Sequence, residues 1–276
     1  MIKNIIFLLT LNQLFIYASQ VDTLIVQSES MNKSISNIVI LPDNYSEENQ
    51  LPVIYLLHGY SDNHETWMNN APKIKEYADK YNVIIVCPDA NYSSWYFDSP
   101  IDDSIKYETY ISSELVKSVD RNYNTIDNRN GRAITGLSMG GHGAFYLSFK
   151  HQDIWGAAGS ISGGVDIVPF PSSWDISKQL GKYSDFTENW KNNSVINMVD
   201  LLQRDSLKLI FDCGIDDFFY DANFRLHNTL KEKNIPHDYT ERPGMHNWDY
   251  FSNSVEYHIL FFKRYFNKLS LIKNKI

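Results

Sequence analysis

Apolar residues occur along this chain in short runs, and most runs are followed by a stretch whose apolar positions have helical spacing. Runs rich in Val, Ile and Leu predict strands, and nearly uninterrupted runs are typical of parallel strands that are covered on both faces. Residues 36–41 alternate instead, as in a half-buried edge strand. The predicted strands span residues 21–30, 36–41, 52–57, 83–87, 132–137, 157–162, 207–211 and 237–242.

Helices are predicted between most of these strands. In residues 105–119, for example, Tyr107, Ile111, Leu115 and Val119 lie on one face of a helix. Strands that alternate with helices favour an α/β fold with a mainly parallel, twisted sheet and helices on both faces. In such a sheet, ligands bind beyond the carboxyl ends of the strands. The predicted helices span residues 74–81, 105–119, 144–150, 221–233 and 249–266.

The N-terminal residues differ in composition from the rest of the chain. Lys3 supplies a positive charge, residues 5–11 form a short apolar run, and Ala18 ends a loose signal-cleavage sequence. We interpret residues 1–19 as a secretory signal rather than a membrane anchor, because a bilayer span needs about 20 apolar residues. The mature protein is then expected in the periplasm or outside the cell. Residues 20–276 are predicted to form one domain, with an irregular, lid-like insertion at about residues 163–200.

Composition argues against several classes of partner. The formal net charge is −8 and no basic stripe is present, which argues against nucleic acid and anionic membranes. Cys87 and Cys213 each end an apolar run, so we interpret both as buried strand residues. With so few cysteines and no histidine cluster, neither a metal site nor a cofactor is predicted.

Residues 136–143 have the clearest chemical signature. They read Gly-Leu-Ser-Met-Gly-Gly-His-Gly and contain G-x-S-x-G, in which a serine occupies a strained turn between a strand and a helix. The predicted strand before the motif and the predicted helix after it supply the context that it requires. Gly136 and Gly140 lie where a larger side chain would collide with neighbouring backbone. We therefore predict that Ser138 is a nucleophile whose hydroxyl lies near the N-terminus of a helix.

A serine hydroxyl needs a base to take its proton, and a histidine is the usual one. In enzymes with this serine motif, the chain order is Ser, then Asp or Glu, then His. The histidines that follow the serine are His151, His227, His237, His246 and His258. We predict that the base is His246, because it lies in a loop after a strand and before the last helix. The others lie within or beside predicted elements.

The acid that orients this histidine should follow the strand at residues 207–211. Asp212, Asp216, Asp217 and Asp221 are the candidates in that region. Asp212 lies at the very end of the strand, whereas Asp216 and Asp217 lie in the loop after Gly214. Spacing alone does not decide between Asp216 and Asp217.

The tetrahedral intermediate of acyl transfer needs N–H donors for its oxyanion. We predict the backbone N–H of Met139, directly after the serine, as one donor. The second is the N–H of Tyr60, in the loop after the strand at residues 52–57, where His58 and Gly59 permit close approach. His58 itself is interpreted as structural.

Four segments in this order resemble the esterases of the esterase D type: residues 55–59 (YLLHG), 136–141 (GLSMGG), 213–217 (CGIDD) and 243–248 (PGMHNW). The resemblance covers nearly the whole mature chain and implies an α/β-hydrolase fold over residues 20–276. Its C-G-x-x-D pattern implies that Asp217 is the acid. A Ser-x-Trp-Tyr segment of that family is similar to residues 94–96, which implies a substrate contact for Trp95, with a core position as the alternative. At His142 the family more often has small or aromatic residues, so this side chain is expected to line the cleft or to face solvent.

The resemblance implies a serine carboxylesterase that works through an acyl-enzyme on Ser138, and the predicted signal implies that it is secreted. Acetyl or feruloyl groups on polysaccharides or oligosaccharides are the leading substrates, with other small-molecule esters also expected. Alternatives are a broad-specificity short-chain carboxylesterase, an S-formylglutathione hydrolase, an acyltransferase and a non-catalytic carbohydrate-binding homologue. Export disfavours the glutathione substrate, which is cytosolic, and the intact set of serine, histidine and acid disfavours the non-catalytic alternative.

Overall fold

The computed structural model describes residues 19–273, so all but the last residue of the predicted signal lies outside the described residues. Within them, one sheet contains β1 (Gln20–Ser28), β2 (Lys33–Leu41), β3 (Val53–Leu57), β4 (Ile84–Pro88), β5 (Arg132–Gly136), β6 (Ala157–Ile161), β7 (Lys208–Gly214) and β8 (His237–Arg242). The strand order is β1-β2-β4-β3-β5-β6-β7-β8. β1 pairs antiparallel with β2, and β2 with β4, whereas every later pairing is parallel. All the predicted strands and the mainly parallel sheet are confirmed.

Helices join most of the strands: α1 (Thr66–Asn70), α2 (Ile74–Tyr81), α3 (Tyr107–Thr109), α4 (Val116–Asn122), α5 (Met139–Lys150), α6 (Ile176–Leu180), α7 (Thr187–Asn192), α8 (Tyr220–Glu232) and α9 (Trp248–Lys273). A π-helical turn, Tyr110–Leu115, connects α3 to α4 within the helix predicted over residues 105–119. α5 begins at Met139 rather than at residue 144, because glycines in its first turns obscure the helical pattern.

Apolar side chains cover both faces of the sheet, which explains the nearly continuous apolar runs. Successive residues of a strand point to opposite faces. In β3, Ile54 and Leu56 contribute to the core beneath α1, α2 and α9. Val53, Tyr55 and Leu57 contribute to the core beneath α4, α5 and α8. Each of these side chains is completely buried, so β3 lies in the interior with both of its faces covered.

The predicted insertion at residues 163–200 lies between β6 and β7. It contains α6, α7 and two 3-10 turns, so it has more regular structure than its composition predicts. Val165, Ile167 and Trp190 are fully buried in the same core as α5. The segment therefore covers one face of the sheet near the serine-bearing helix. A movement of this segment as a lid stays a prediction.

Cys87 on β4 and Cys213 on β7 are free, buried thiols, as predicted. Burial raises the pKa of both thiols well above its usual range. Since the thiolate is the nucleophilic form of cysteine, neither side chain is poised to react near neutral pH. Both cysteines therefore act as small apolar core residues.

Candidate active site

Ser138 lies in the sharp turn between β5 and α5. Its backbone has φ 54° and ψ −116°, a combination that residues other than glycine rarely adopt. A Cβ atom added to Gly140 would lie 2.6 Å from the carbonyl oxygens of His58 and Leu57. An added Cβ on Gly136 would lie 2.7 Å from the backbone of Gly140. The predicted steric role of both glycines is confirmed, and the turn places the serine beyond the carboxyl end of β5.

Three side chains from three loops meet in one hydrogen-bonded line. The Ser138 hydroxyl lies 2.9 Å from Nε2 of His246, and Nδ1 of that ring lies 2.8 Å from Oδ2 of Asp217. Since a carboxylate only accepts, Nδ1–H donates to Asp217 and Nε2 is left to accept the serine proton. Asp217 is 6 % exposed, and its other oxygen accepts a 2.8 Å hydrogen bond from the Phe219 N–H. The structure thus brings together the predicted nucleophile, base and acid.

The other candidate acids have different surroundings. Asp216 and Asp221 are exposed to solvent. Asp212 is buried, pairs with Arg242, and accepts a 2.5 Å hydrogen bond from the Ser254 hydroxyl. Of the four carboxylates, Asp217 is the one that contacts the imidazole of the predicted base. The geometry therefore favours the same acid as the family resemblance.

The remaining histidines have partners of their own. His58 is buried, with Nδ1–H donating to the Gly59 carbonyl at 2.7 Å and Nε2 accepting from the Ala90 N–H at 2.9 Å. Because both of its nitrogens are engaged, it fixes the loop after β3, and its predicted structural role is confirmed. Apart from His246, the histidines that follow the serine in the chain are hydrogen-bonded to other groups: His151 to Glu108, His227 to His237, and His258 to Thr135 and Asp212.

Two backbone N–H groups lie close to the nucleophile. Met139 is the first residue of α5, where N–H groups have no partner within the helix. The loop after β3 passes directly beside the serine, since a Cβ added to Gly59 would lie 3.7 Å from Cβ of Ser138. In the described part of the chain, no backbone acceptor takes a hydrogen bond from the N–H of Met139 or of Tyr60. Both groups are therefore free to bind an anionic oxygen, and the helix N-terminus adds a favourable dipole.

The loops that carry the acid and the histidine are bonded to each other. The Ile215 N–H donates to the Arg242 carbonyl at 2.9 Å, and the Asp216 N–H donates to the Gly244 carbonyl at 3.0 Å. Gly214 lies against this contact, because an added Cβ would lie 2.6 Å from the carbonyl carbon of Gly244. Backbone contacts therefore set the distance between the acid and the histidine.

Replacing Gly214 by alanine is expected to lower kcat by about 100-fold, because the two loops must separate and a displacement of about 1 Å can cost that much. Hydrolysis of p-nitrophenyl acetate, measured well below the Tm, checks this. The matched control is Gly156→Ala at the amino end of β6, where an added Cβ would lie 2.8 Å from the Tyr265 ring. This control should lower the Tm but leave kcat within about threefold. Similar kcat values for the two variants would contradict the assignment.

The predicted substrate contacts of His142 and Trp95 need correction. His142 is fully buried rather than lining a cleft or facing solvent, so that prediction is wrong. It lies one helical turn after Ser138 on the core side of α5, where its Nε2–H donates to the Asn193 carbonyl at 2.9 Å. Trp95 is 1 % exposed, and its ring centroid lies 5.3 Å from that of His142. This position matches the alternative interpretation of Trp95 as a core residue.

Burial lowers the pKa of His142 from its usual 6.5 to about 4, although the Asn193 carbonyl favours the protonated ring. The unfolded chain therefore takes up this proton at a higher pH than the folded protein does. The stability contributed by neutral, buried His142 is present above pH 6.5 and is lost as the pH falls toward 4, by roughly 2.5 kcal/mol at pH 4.5. We expect the His142→Gln variant to lack this component of the loss. Urea unfolding at pH 7.5 and 4.5 measures it, and an equal pH dependence in both proteins would contradict it.

Sequence reasoning missed an exposed aromatic surface beside the histidine. Phe218, in the loop of the acid, is 53 % exposed, and its ring centroid lies 4.2 Å from that of His246. The same ring stacks on Trp174, with centroids 5.5 Å apart and an angle of 22° between the planes. Ile215 and Met245 in the neighbouring loops are also exposed. The sequence signal for this surface is the presence of large apolar residues in loops at the carboxyl ends of strands, where solvent favours polar ones.

Within residues 19–273, no group of three or more His, Cys, Asp or Glu side chains is placed to hold a metal ion. Over the same residues, no helix combines the length and the apolar character needed to cross a bilayer.

Comparisons with known proteins identify the family of the chain. The family model described as Putative esterase matches residues 28–259. A curated acetyl esterase from Caldicellulosiruptor saccharolyticus is 26 % identical over 257 residues, which span 83 % of this chain and 92 % of that protein. The family model therefore covers most of the chain, and the relative is matched over nearly its whole length.

Solved structures show the same fold. A ferulic acid esterase superposes with a TM-score of 0.79 at 28 % identity, covering 91 % of this chain and 99 % of its own. An S-formylglutathione hydrolase from Staphylococcus aureus superposes with a TM-score of 0.77 at 21 % identity, covering 89 % of this chain and 99 % of its own. The predicted α/β-hydrolase fold is thereby confirmed. Together with its fold, the match over residues 28–259 shows that the chain is an esterase that belongs to the Putative esterase family.

Proposed function

We propose that this esterase removes acyl groups, acetyl or feruloyl, from hydroxyls of oligosaccharides or polysaccharides through an acyl-enzyme on Ser138. The observation that carries the proposal is the hydrogen-bonded line from Ser138 through His246 to Asp217. The similarity to a curated acetyl esterase and to a solved ferulic acid esterase supports acetyl and feruloyl esters as substrates.

In the proposed first half-reaction, Nε2 of His246 takes the Ser138 proton while the serine oxygen attacks the ester carbonyl carbon. The carbonyl oxygen becomes an oxyanion that accepts hydrogen bonds from the N–H groups of Met139 and Tyr60. The protonated imidazole then gives its proton to the leaving oxygen as the carbon–oxygen bond of the ester breaks. The alcohol departs, and the acyl group remains esterified to the serine.

In the proposed second half-reaction, water takes the place of the alcohol beside His246. The imidazole accepts a proton from that water as the oxygen attacks the acyl carbon, and then returns a proton to Ser138 as the acid leaves. Asp217 keeps the proton on Nδ1 and stabilises the transient imidazolium. The Phe219 N–H fixes the orientation of this carboxylate through its 2.8 Å hydrogen bond.

A fluorophosphonate probe tests the nucleophile, with labelling expected at Ser138 and located by peptide mass spectrometry. A substrate panel of ethyl acetate, methyl ferulate, acetylated xylan and S-formylglutathione then tests the substrate class. We expect the highest kcat/KM on acetylated xylan or on the ferulate ester. Absence of labelling in the folded protein would contradict the mechanism and favour a carbohydrate-binding role. A preference for S-formylglutathione would contradict the substrate class but leave the mechanism standing.

We also propose that the enzyme acts in the periplasm or outside the cell. The support is the composition of residues 1–19, with Lys3 before an apolar run and Ala18 at the end. N-terminal sequencing of the protein recovered from cell fractions tests this. A chain that retains residues 1–19 and stays in the cytosol would contradict it.

A further inference from the structure

We propose that the exposed ring of Phe218, stacked on Trp174, binds a neutral sugar ring that forms the alcohol part of the ester. This inference rests on the proposed acyl transfer through Ser138. It identifies the leaving-group side of the site, assigns a side chain to the sugar of the proposed substrate, and favours sugars without charge.

Phe218 lies where the alcohol part of the ester must bind. The leaving oxygen takes its proton from Nε2 of His246, so the alcohol must lie against this imidazole when the ester bond breaks. The ring centroid of Phe218 lies 4.2 Å from that of the imidazole, and the side chain is 53 % exposed. An alcohol larger than methanol or ethanol therefore meets this ring before it meets solvent.

The Phe218 ring packs on Trp174, and hydrogen bonds fix the segment that carries Trp174. Trp174, on which Phe218 stacks, has a left-handed backbone with φ 47°, and so has Asp175 with φ 55°. The Trp174 carbonyl accepts a 3.0 Å hydrogen bond from the buried Trp95 indole N–H. Asp175 accepts a 3.3 Å hydrogen bond from the Tyr60 hydroxyl. The aromatic surface is thus joined to the loop that supplies one of the proposed oxyanion donors, and it binds without much loss of side-chain freedom.

The polar groups around the ring fit hydroxyls. A cavity of about 400 Å³ beside Phe218 is also lined by Asp216, Asp217, Tyr220 and Asp221. A sugar ring has an apolar C–H face, which contacts an aromatic ring, and hydroxyl donors at its edge, which carboxylates accept. The carboxylates open to such hydroxyls are those of Asp216 and Asp221, which are exposed, because Asp217 already accepts hydrogen bonds from His246 and from the Phe219 N–H.

The charge of the cavity also disfavours anionic alcohols and thiols. Three of its lining residues are aspartates, and the whole chain has a formal net charge of −8. Glutathione carries two carboxylates and one ammonium group at neutral pH, so its net charge is negative and the cavity repels it. The electrostatics therefore favour a neutral sugar over the leaving group of an S-formylglutathione hydrolase.

The test compares esters that share an acyl group but differ in the alcohol. The measured quantity is the ratio of kcat/KM for acetylated xylo-oligosaccharides to kcat/KM for ethyl acetate. Phe218→Ala is expected to lower this ratio at least tenfold, and Phe218→Trp is expected to retain it within about threefold. The control is Phe186→Ala, directly before α7, which removes another phenylalanine that is 44 % exposed and should leave the ratio unchanged.

Some results would contradict only the sugar-binding role of Phe218, and another would contradict the proposed function as well. An unchanged ratio in Phe218→Ala, with fluorophosphonate labelling of Ser138 intact, would remove the sugar-binding surface and leave the mechanism standing. A wild-type preference for ethyl acetate over the acetylated oligosaccharide would do the same. If the variant instead lost activity on methyl ferulate relative to methyl acetate, the ring would belong to the acyl side. Absence of Ser138 labelling would overturn both proposals together.

Discussion

The Ser138→Ala variant is expected to hydrolyse ethyl acetate with a kcat about 10⁵-fold or more below that of the wild type, because no nucleophile remains to form the acyl-enzyme. His246→Ala is expected to lose a similar factor, since the serine proton then has no acceptor 2.9 Å away. The double variant should be no worse than either single variant, as residues that act as one unit give non-additive losses. Steady-state kinetics with purified proteins, together with thermal unfolding, measures these effects.

The matched control is His151→Ala. This histidine also follows the serine in the chain, but its Nε2 lies 2.8 Å from Glu108 rather than near the nucleophile. Its replacement should leave kcat within about threefold. Additive losses in the double variant, or a large loss in the control, would show that serine and histidine do not work as a pair.

Asp217→Asn is expected to lower kcat by roughly 10³–10⁴-fold with little change in KM. The carboxylate holds the proton on Nδ1 of His246 through a 2.8 Å hydrogen bond. An amide in its place can donate to Nδ1, which stabilises the tautomer whose Nε2 carries a proton and cannot accept another. The ring would then keep its position but lose its capacity as a base. The pH dependence of kcat/KM for ethyl acetate follows this change, because activity should rise when hydroxide replaces the missing base.

Comparison with Asp216→Asn decides the identity of the acid. Asp216 is adjacent in sequence but exposed, and it lies in the same loop. We expect its replacement to lower kcat on ethyl acetate by less than tenfold. A larger loss at Asp216 than at Asp217 would contradict the assignment that the hydrogen-bond geometry favours.

The strands could be predicted because each one buries both of its faces. In β3, the alternate residues Ile54 and Tyr55 contribute to the two different cores, so the run is apolar throughout. The π-helical turn Tyr110–Leu115 could not be predicted from the apolar pattern, and its first residue makes a contact distant in the chain. The Tyr110 hydroxyl donates a 2.9 Å hydrogen bond to Asn37 on β2, 73 positions away in the chain. Periodicity reports which face of a helix is buried but not how wide each turn is.

In the active site, too, the features that could be predicted are local in sequence, whereas the others depend on more specific contacts. Ser138 and His246 could be predicted from motifs that each occupy a few residues. The choice of Asp217 over Asp216 depends on a tight turn, in which the Asp217 N–H donates to the Gly214 carbonyl at 3.1 Å, and spacing contains no information about it. The burial of His142 depends on Asn193, 51 positions later, in a segment whose composition predicts only irregular structure.

The serine and its base are 108 positions apart, and α9 begins directly after the loop of the histidine. A polypeptide emerging from the ribosome therefore exposes its nucleophile long before the partner that activates it has been synthesised. Under the proposed mechanism, we expect a chain that ends before residue 246 to hydrolyse no ester. For the same reason, we expect a protease that removes β8 and α9, and with them His246, to inactivate the enzyme while the turn at Ser138 stays intact.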